Sequence, residues 1–157
     1  MLRTPAPFIG ALGVGANSFM SLVQQLPELE AWMAPHAISW EILSDTEYKL
    51  LVNAWASAFR PVVQSGGRYL SGNRAIRALQ SRLPCSVAIF SGLKIAAAAN
   101  MGGRGPSGYN VQGLSAIDAM MARELELVVV SDSLVWSCSF SHEEGYEKFY
   151  EADPTGA

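Results

Sequence analysis

With 157 residues, half of them apolar and 16% charged, the chain suits one domain, since single cores typically serve roughly 100–200 residues. A core of that size needs no disulfide or metal to fold, and the modest charge argues against wholesale disorder and coiled coils. No apolar run approaches the roughly 20 residues of a membrane span, and the net charge of −3 reveals little by itself.

In chain order, residues 1–16 hold Arg3, Pro5 and Pro7 ahead of an apolar stretch broken by Gly10, Gly13 and Gly15. A secretory signal needs a charged start and an unbroken apolar helix, so a first strand or extended arm is expected. Asn17 or Ser18 then caps a short helix carrying Phe19, Met20, Leu22, Val23 and Leu26, which Pro27 ends. Residues 28–34 form another turn, stopped by Pro35, and Ile38 to Leu43 reads as a strand or connector. Asp45 opens the clearest helix, Thr46 to Phe59, with Leu50, Leu51, Ala54, Trp55 and Ala58 as a buried stripe. Pro61 closes it.

Ser71 caps a second, basic helix over Asn73 to Leu83, with Ala75, Ile76, Leu79 and Leu83 inward. Cys85 to Phe90 is a β-prone run. Five glycines between Gly102 and Gly113 mark a mobile loop. Ser115 to Leu125 reads as a helix with Ile117, Met120, Met121 and Leu125 inward. Glu126–Val130 and Leu134–Phe140 are the strongest strands, joined through Ser131-Asp132-Ser133. Tyr146, Phe149 and Tyr150 sit at helical spacing, as a short docking helix would place them. The fold class is therefore α+β: a single domain over 1–157, with three or four helices on one face of a small, mainly antiparallel sheet. Residues 1–7 and 150–157 are expected to fray.

The charges are segregated along the chain. Residues 1–47 carry −4, residues 48–117 carry eight bases and no acid, and residues 118–157 carry −7. Two readings follow. The basic middle presents Arg68, Arg74, Arg77 and Arg82, with Arg104 and Tyr109 of the loop, to an anionic partner; or it pairs with the acidic ends of the same chain. Nucleic acid is the less favoured partner, because the bases are sparse and the pI is near 5.3.

Few motifs carry chemistry. Gly103-Arg-Gly-Pro-Ser-Gly108 has the spacing of a dinucleotide fingerprint, but Pro106 removes an N–H and no helix opens on it. No cofactor is expected. Cys85 and Cys138 lack the partners of a metal site; they read as free thiols in a reducing, cytoplasmic setting, with a disulfide between neighbouring strands as the alternative on export. His142, followed by Glu143 and Glu144, could act as a general base held by a carboxylate, without the nucleophile elbow that would make Ser139 or Ser141 reactive. The aromatics Trp32, Trp40, Trp55, Trp136, Phe140, Tyr146 and Phe149 belong to the core or its rim.

The stretch Glu126-Leu-Val-Val-Val-Ser-Asp-Ser-Leu-Val-Trp-Ser-Cys-Ser-Phe-Ser-His-Glu143 resembles the C-terminal hairpin of a family of small uncharacterised bacterial domains. There, a strand ending in Asp is followed by a Trp-containing strand that closes on Thr/Ser-His-Glu. Leu70-x-Gly72-x-x-Ala75, entering a helix before a strand ending at Phe90, is similar to the same family. The likeness covers about half of the chain. The family's Gly-Pro-Tyr-Phe close is replaced by Gly145-Tyr-Glu-Lys-Phe149, and the glycine-rich loop looks like an insertion. The resemblance implies an α+β fold and an immunity-like or accessory role, and establishes no catalytic role. The expected function is thus non-enzymatic masking of a protein partner through charged surface and the glycine-rich loop. A small enzyme using His142 and Glu143, with an arginine anion site, is the rival, and a nucleic-acid-binding module a further one.

Overall fold

Val87 to Phe90 and Leu127 to Val130 are apolar at every position instead of alternately. Successive strand side chains point to opposite faces, so such runs require cover on both sides of a sheet. A computed structural model, which describes residues 22–64, 69–91, 106–143 and 145–152, has that arrangement. Its elements in chain order are α1 (Pro27–His36), β1 (Ser39–Ile42), α2 (Asp45–Gln64), β2 (Tyr69–Ser71), α3 (Asn73–Arg82), β3 (Cys85–Ser91), β4 (Ser107–Leu114), α4 (Ala119–Leu125), β5 (Val128–Ser131), β6 (Trp136–Ser139) and β7 (Lys148–Glu151).

The fold is α+β, with one antiparallel sheet of seven strands in the order β1-β4-β3-β5-β6-β7-β2. The helices do not share one face, as the sequence reading had them. Leu29 and Met33 of α1, Ala75 and Leu79 of α3, and Ala122 and Leu125 of α4 pack with Val87, Ile89, Tyr109, Val111 and Val129. On the opposite face α2 places Tyr48, Phe59 and Val62 with Ala88, Phe90, Val128 and Val130. Fully burying each such Val, Ile or Phe is worth about 1.5–3 kcal/mol, so neither face could be left wet.

Several local expectations give way to this packing. No helix ends at Pro27: Leu26 is the extended cap residue and Pro27 starts α1, where its missing N–H costs nothing. Pro35 lies inside that helix, in its last turn. At α2 the cap is a box, with Ser44 Oγ accepting from the Glu47 N–H and Glu47 Oε1 accepting from the Ser44 N–H. The helix runs on past Pro61 to Gln64 because Val62 continues its buried face. Leu50 falls outside that face and is exposed; Tyr48 takes the buried position instead. Gly72, not Ser71, is the residue before α3, and no side chain caps that helix. Asp118 caps α4 by accepting from the Met120 N–H, so Ser115 to Ile117 lie outside the helix.

Two larger corrections concern the glycine-rich region and the tail. Residues 107–113 are not a loop but most of β4, which pairs with β3 on one side and β1 on the other. Gly108 sits there because side chains crowd it: a Cβ would lie 2.8 Å from Leu43 Cδ1 and 3.2 Å from Tyr48 Cδ1. The glycine marks close approach, not mobility. Tyr150 and Glu151 do not fray, and residues 148–151 are a strand and not a helix; β7 pairs with β6 and β2. Tyr146, expected at the core or its rim, is exposed. The expected N-terminal arm, residues 1–16, and the fraying of 153–157 lie outside the described residues.

Cys85 and Cys138 are both free, and β5 separates their strands, which removes the disulfide between neighbouring strands. Burial pushes the Cys138 thiol up to about 12, as befits an inert core residue.

The packing at Gly108 can be tested directly. Gly108→Ala is expected to destabilise the fold by about 1–3 kcal/mol through overpacking, seen as a lower urea midpoint. A mobile loop would tolerate the methyl group, with an unchanged midpoint.

Candidate functional site

On the three-helix face, α1 and α4 leave between them an open cleft of about 750 Å³. From α1 come Glu28, Ala31 and Trp32, which the helical spacing puts on one side. The α4 wall supplies Asp118, Met120, Met121, Arg123 and Glu124, and His142 enters from the segment after β6.

Both walls are held by polar contacts. Tyr109 is fully buried beneath α1; its hydroxyl accepts from the Leu26 N–H at 2.8 Å and donates to Glu30 Oε2 at 2.6 Å. Burial first, and the Glu30 hydrogen bond second, raise the phenol's pKa far above its ordinary range. Trp32 Nε1 donates to the Ala116 carbonyl at 3.1 Å, and the His36 ring stacks on the indole at 3.9 Å. His36 Nδ1 lies 2.9 Å from the Trp32 carbonyl, so that nitrogen carries the proton. His36 is thereby a structural residue.

On the α4 side, Arg123 Nε is bonded to Glu147 Oε2, and the Glu147 side chain is 1% exposed. Gly145 N–H donates to the other carboxylate oxygen at 3.1 Å, and the Glu147 carbonyl accepts from Gly72 at the start of α3. Burial by itself would raise the Glu147 pKa. The Arg123 hydrogen bond and charge, with N–H donors from Gly145 and Glu147 itself, outweigh it and hold the carboxyl below its ordinary 4.5. One buried pair therefore ties α4 to Gly145 and the approach to β7.

The charge left in the cleft is negative. Arg123 is committed to Glu147, and His142 Nε2 lies 3.9 Å from Glu126. Among the described residues, the Glu28 and Glu124 carboxylates make no hydrogen bond or ion pair. Met120, expected to point inward, is 73% exposed at the cleft.

The residues singled out from the sequence are scattered. His142 lines the cleft but faces Glu126; Glu143 is exposed, its N–H bonded to Ser141 Oγ. Arg74 and Arg77 are exposed on α3 without an ion pair among the described residues. Arg82 instead pairs with Glu151 and lies over the Phe149 ring, 5.2 Å from its centroid. Arg68 and Arg104 lie outside the described residues. Tyr109, expected in a surface loop, is inside the protein and not available to a partner. Reading the residues in sequence missed Glu28, Trp32, Asp118 and Glu124. Two signals pointed to them: the Glu28–Trp32 spacing, and the return of acids at Asp118 after seventy residues without one.

Searches against protein-family models, curated proteins and solved structures found no match. No helix among the described residues is long and apolar enough to cross a membrane.

Removing the buried carboxylate should expose its role. Because the folded pKa of Glu147 is depressed, its contribution is whole above its unfolded value, near 4.5, and is lost as pH falls through the folded value. Glu147→Gln is expected to cost on the order of 3 kcal/mol at pH 7, read from urea unfolding. The gap between variant and parent should narrow as the pH drops below 4.5; a gap independent of pH would contradict the ion pair.

Proposed function

We propose that the chain is a non-enzymatic binding protein, immunity-like or accessory in role, that masks a protein partner with a charged surface. The observation that supports this is the α1/α4 cleft. It is open, its Glu28 and Glu124 carboxylates have no partner among the described residues, and Met120 beside them is 73% exposed. Unpaired charge next to an exposed apolar side chain is what a docking surface offers. The glycine-rich loop, as far as residue 105, lies outside the described residues, so the reading rests on the cleft.

A rival reading, a small enzyme, draws on His142 standing in the same cleft 3.9 Å from Glu126. A histidine so placed would need a nucleophile or a bound water to act on.

Photo-crosslinking separates the two. With p-benzoylphenylalanine replacing Met120, the chain is expected to yield one discrete protein adduct in its native host. The same group at Lys49, exposed on α2 across the sheet, should give none. Glu124→Arg should reduce the adduct at least about tenfold, equivalent to 1.4 kcal/mol, while His142→Ala should leave it unchanged. No adduct, or equal adducts from both positions, would overturn the binding reading.

A further inference from the structure

We infer that the α1/α4 cleft recognises an arginine side chain presented by the partner protein, with Glu28 and Glu124 as the carboxylates that receive the guanidinium. The inference rests on the binding reading above and names the chemistry of what is bound.

Three observations lead to a cation of this kind. First, the cleft carries three carboxylates, Glu28, Asp118 and Glu124, against Arg123, whose charge is already matched by Glu147. Second, those carboxylates come from two walls, Glu28 from α1 and Asp118 and Glu124 from the α4 side. Among the described residues no three of His, Cys, Asp and Glu are grouped to hold a metal ion. Acids on two opposite walls suit a cation whose charge and donors extend over several ångströms, which a guanidinium with five N–H groups provides and a compact ammonium does not. Third, the walls are apolar where the carboxylates are not. Trp32 is held by Ala116 and His36, and Met120 and Met121 lie opposite it on α4. Guanidinium faces are weakly hydrated and pack on such surfaces, as does the arginine's methylene stem.

The cleft's openness points to a polypeptide as the source. Small-molecule sites enclose most of their ligand, whereas here Met120 stands 73% exposed at the cleft, where residues flanking an arginine could cover it. Asp118 is the less available acid, since one of its oxygens caps α4, so the test is made on the other two.

The test uses the full chain and a capped peptide, acetyl-Gly-Leu-Arg-Leu-Gly-amide, with versions carrying Lys or Gln in place of Arg, and free L-arginine. Binding is read from the Trp32 indole N–H resonance, assigned with Trp32→Phe. The arginine peptide is expected to shift it saturably, the lysine peptide to bind at least about threefold more weakly, and the glutamine peptide not to saturate. Glu28→Gln combined with Glu124→Gln should weaken the arginine peptide at least about tenfold. Both positions are exposed, so an unchanged thermal midpoint confirms the fold. Equal binding of the glutamine peptide, no effect of the double variant, or free L-arginine binding as tightly as the peptide would each overturn the inference. If the Met120 crosslink forms but no arginine preference appears, this inference falls while the binding reading stands. If the crosslink is also absent, both fall.

Discussion

Cover for both faces of the β4–β3–β5 centre is the requirement from which the rest of the molecule follows. Val87, Ile89 and Val129 demand an apolar layer on one side, and Ala88, Phe90, Val128 and Val130 demand another on the opposite side. Among the described residues one long helix meets the second demand: α2, at 20 residues. The first face is wider in cover, taking α1, α3 and α4. Between α1 and α4 that cover leaves the open cleft.

Polar groups then fix what apolar packing leaves free. Hydrophobic burial is non-directional, so it can press α1 and α4 onto the sheet without setting their orientation. Tyr109 does this for α1 by engaging both Leu26 and Glu30 from below. The Asp45 carboxylate, reaching the N–H groups of Leu22 and Val23, ties the preceding segment to the start of α2. Glu147 anchors α4 through Arg123 and also holds Gly145 and Gly72. Buried polar groups of this kind are costly unless paired, and once paired they select one geometry. Among the described residues, the Glu28 and Glu124 carboxylates at the cleft take no part in that framework.

Charge segregation along the chain becomes two different things in space. Arg82 joins the acidic C-terminal strand through Glu151, which is the internal pairing considered from sequence. Arg74 and Arg77 remain on the outer side of α3. The buried acid Glu147 draws its partner from outside this basic stretch: it takes Arg123, a base from its own acidic third of the chain. A count of charges by segment predicted neither that pairing nor the negative cleft, because Coulombic contacts depend on distance after folding and not on separation in sequence.

Local chemistry was legible wherever one residue's neighbours in sequence decide its state. The α+β class, the extent of α3, the β3 strand and the β5–β6 hairpin could all be read from apolar spacing and turn residues. Even the double burial of the sheet was written in the unbroken apolar run from Val87 to Phe90. What the tertiary structure decided was every feature that depends on a distant partner. Gly108 and Gly113 look like loop residues until Leu43, Tyr48 and Ile38 are packed against them. Tyr109 looks like a surface contact until α1 covers it. The cleft itself joins residues ninety or more positions apart, from Glu28 to Asp118 and His142. Backbone propensity and periodicity act over a few residues, so they determined the elements; the meeting of α1 with α4 is set by the sheet beneath them, and no local pattern records it.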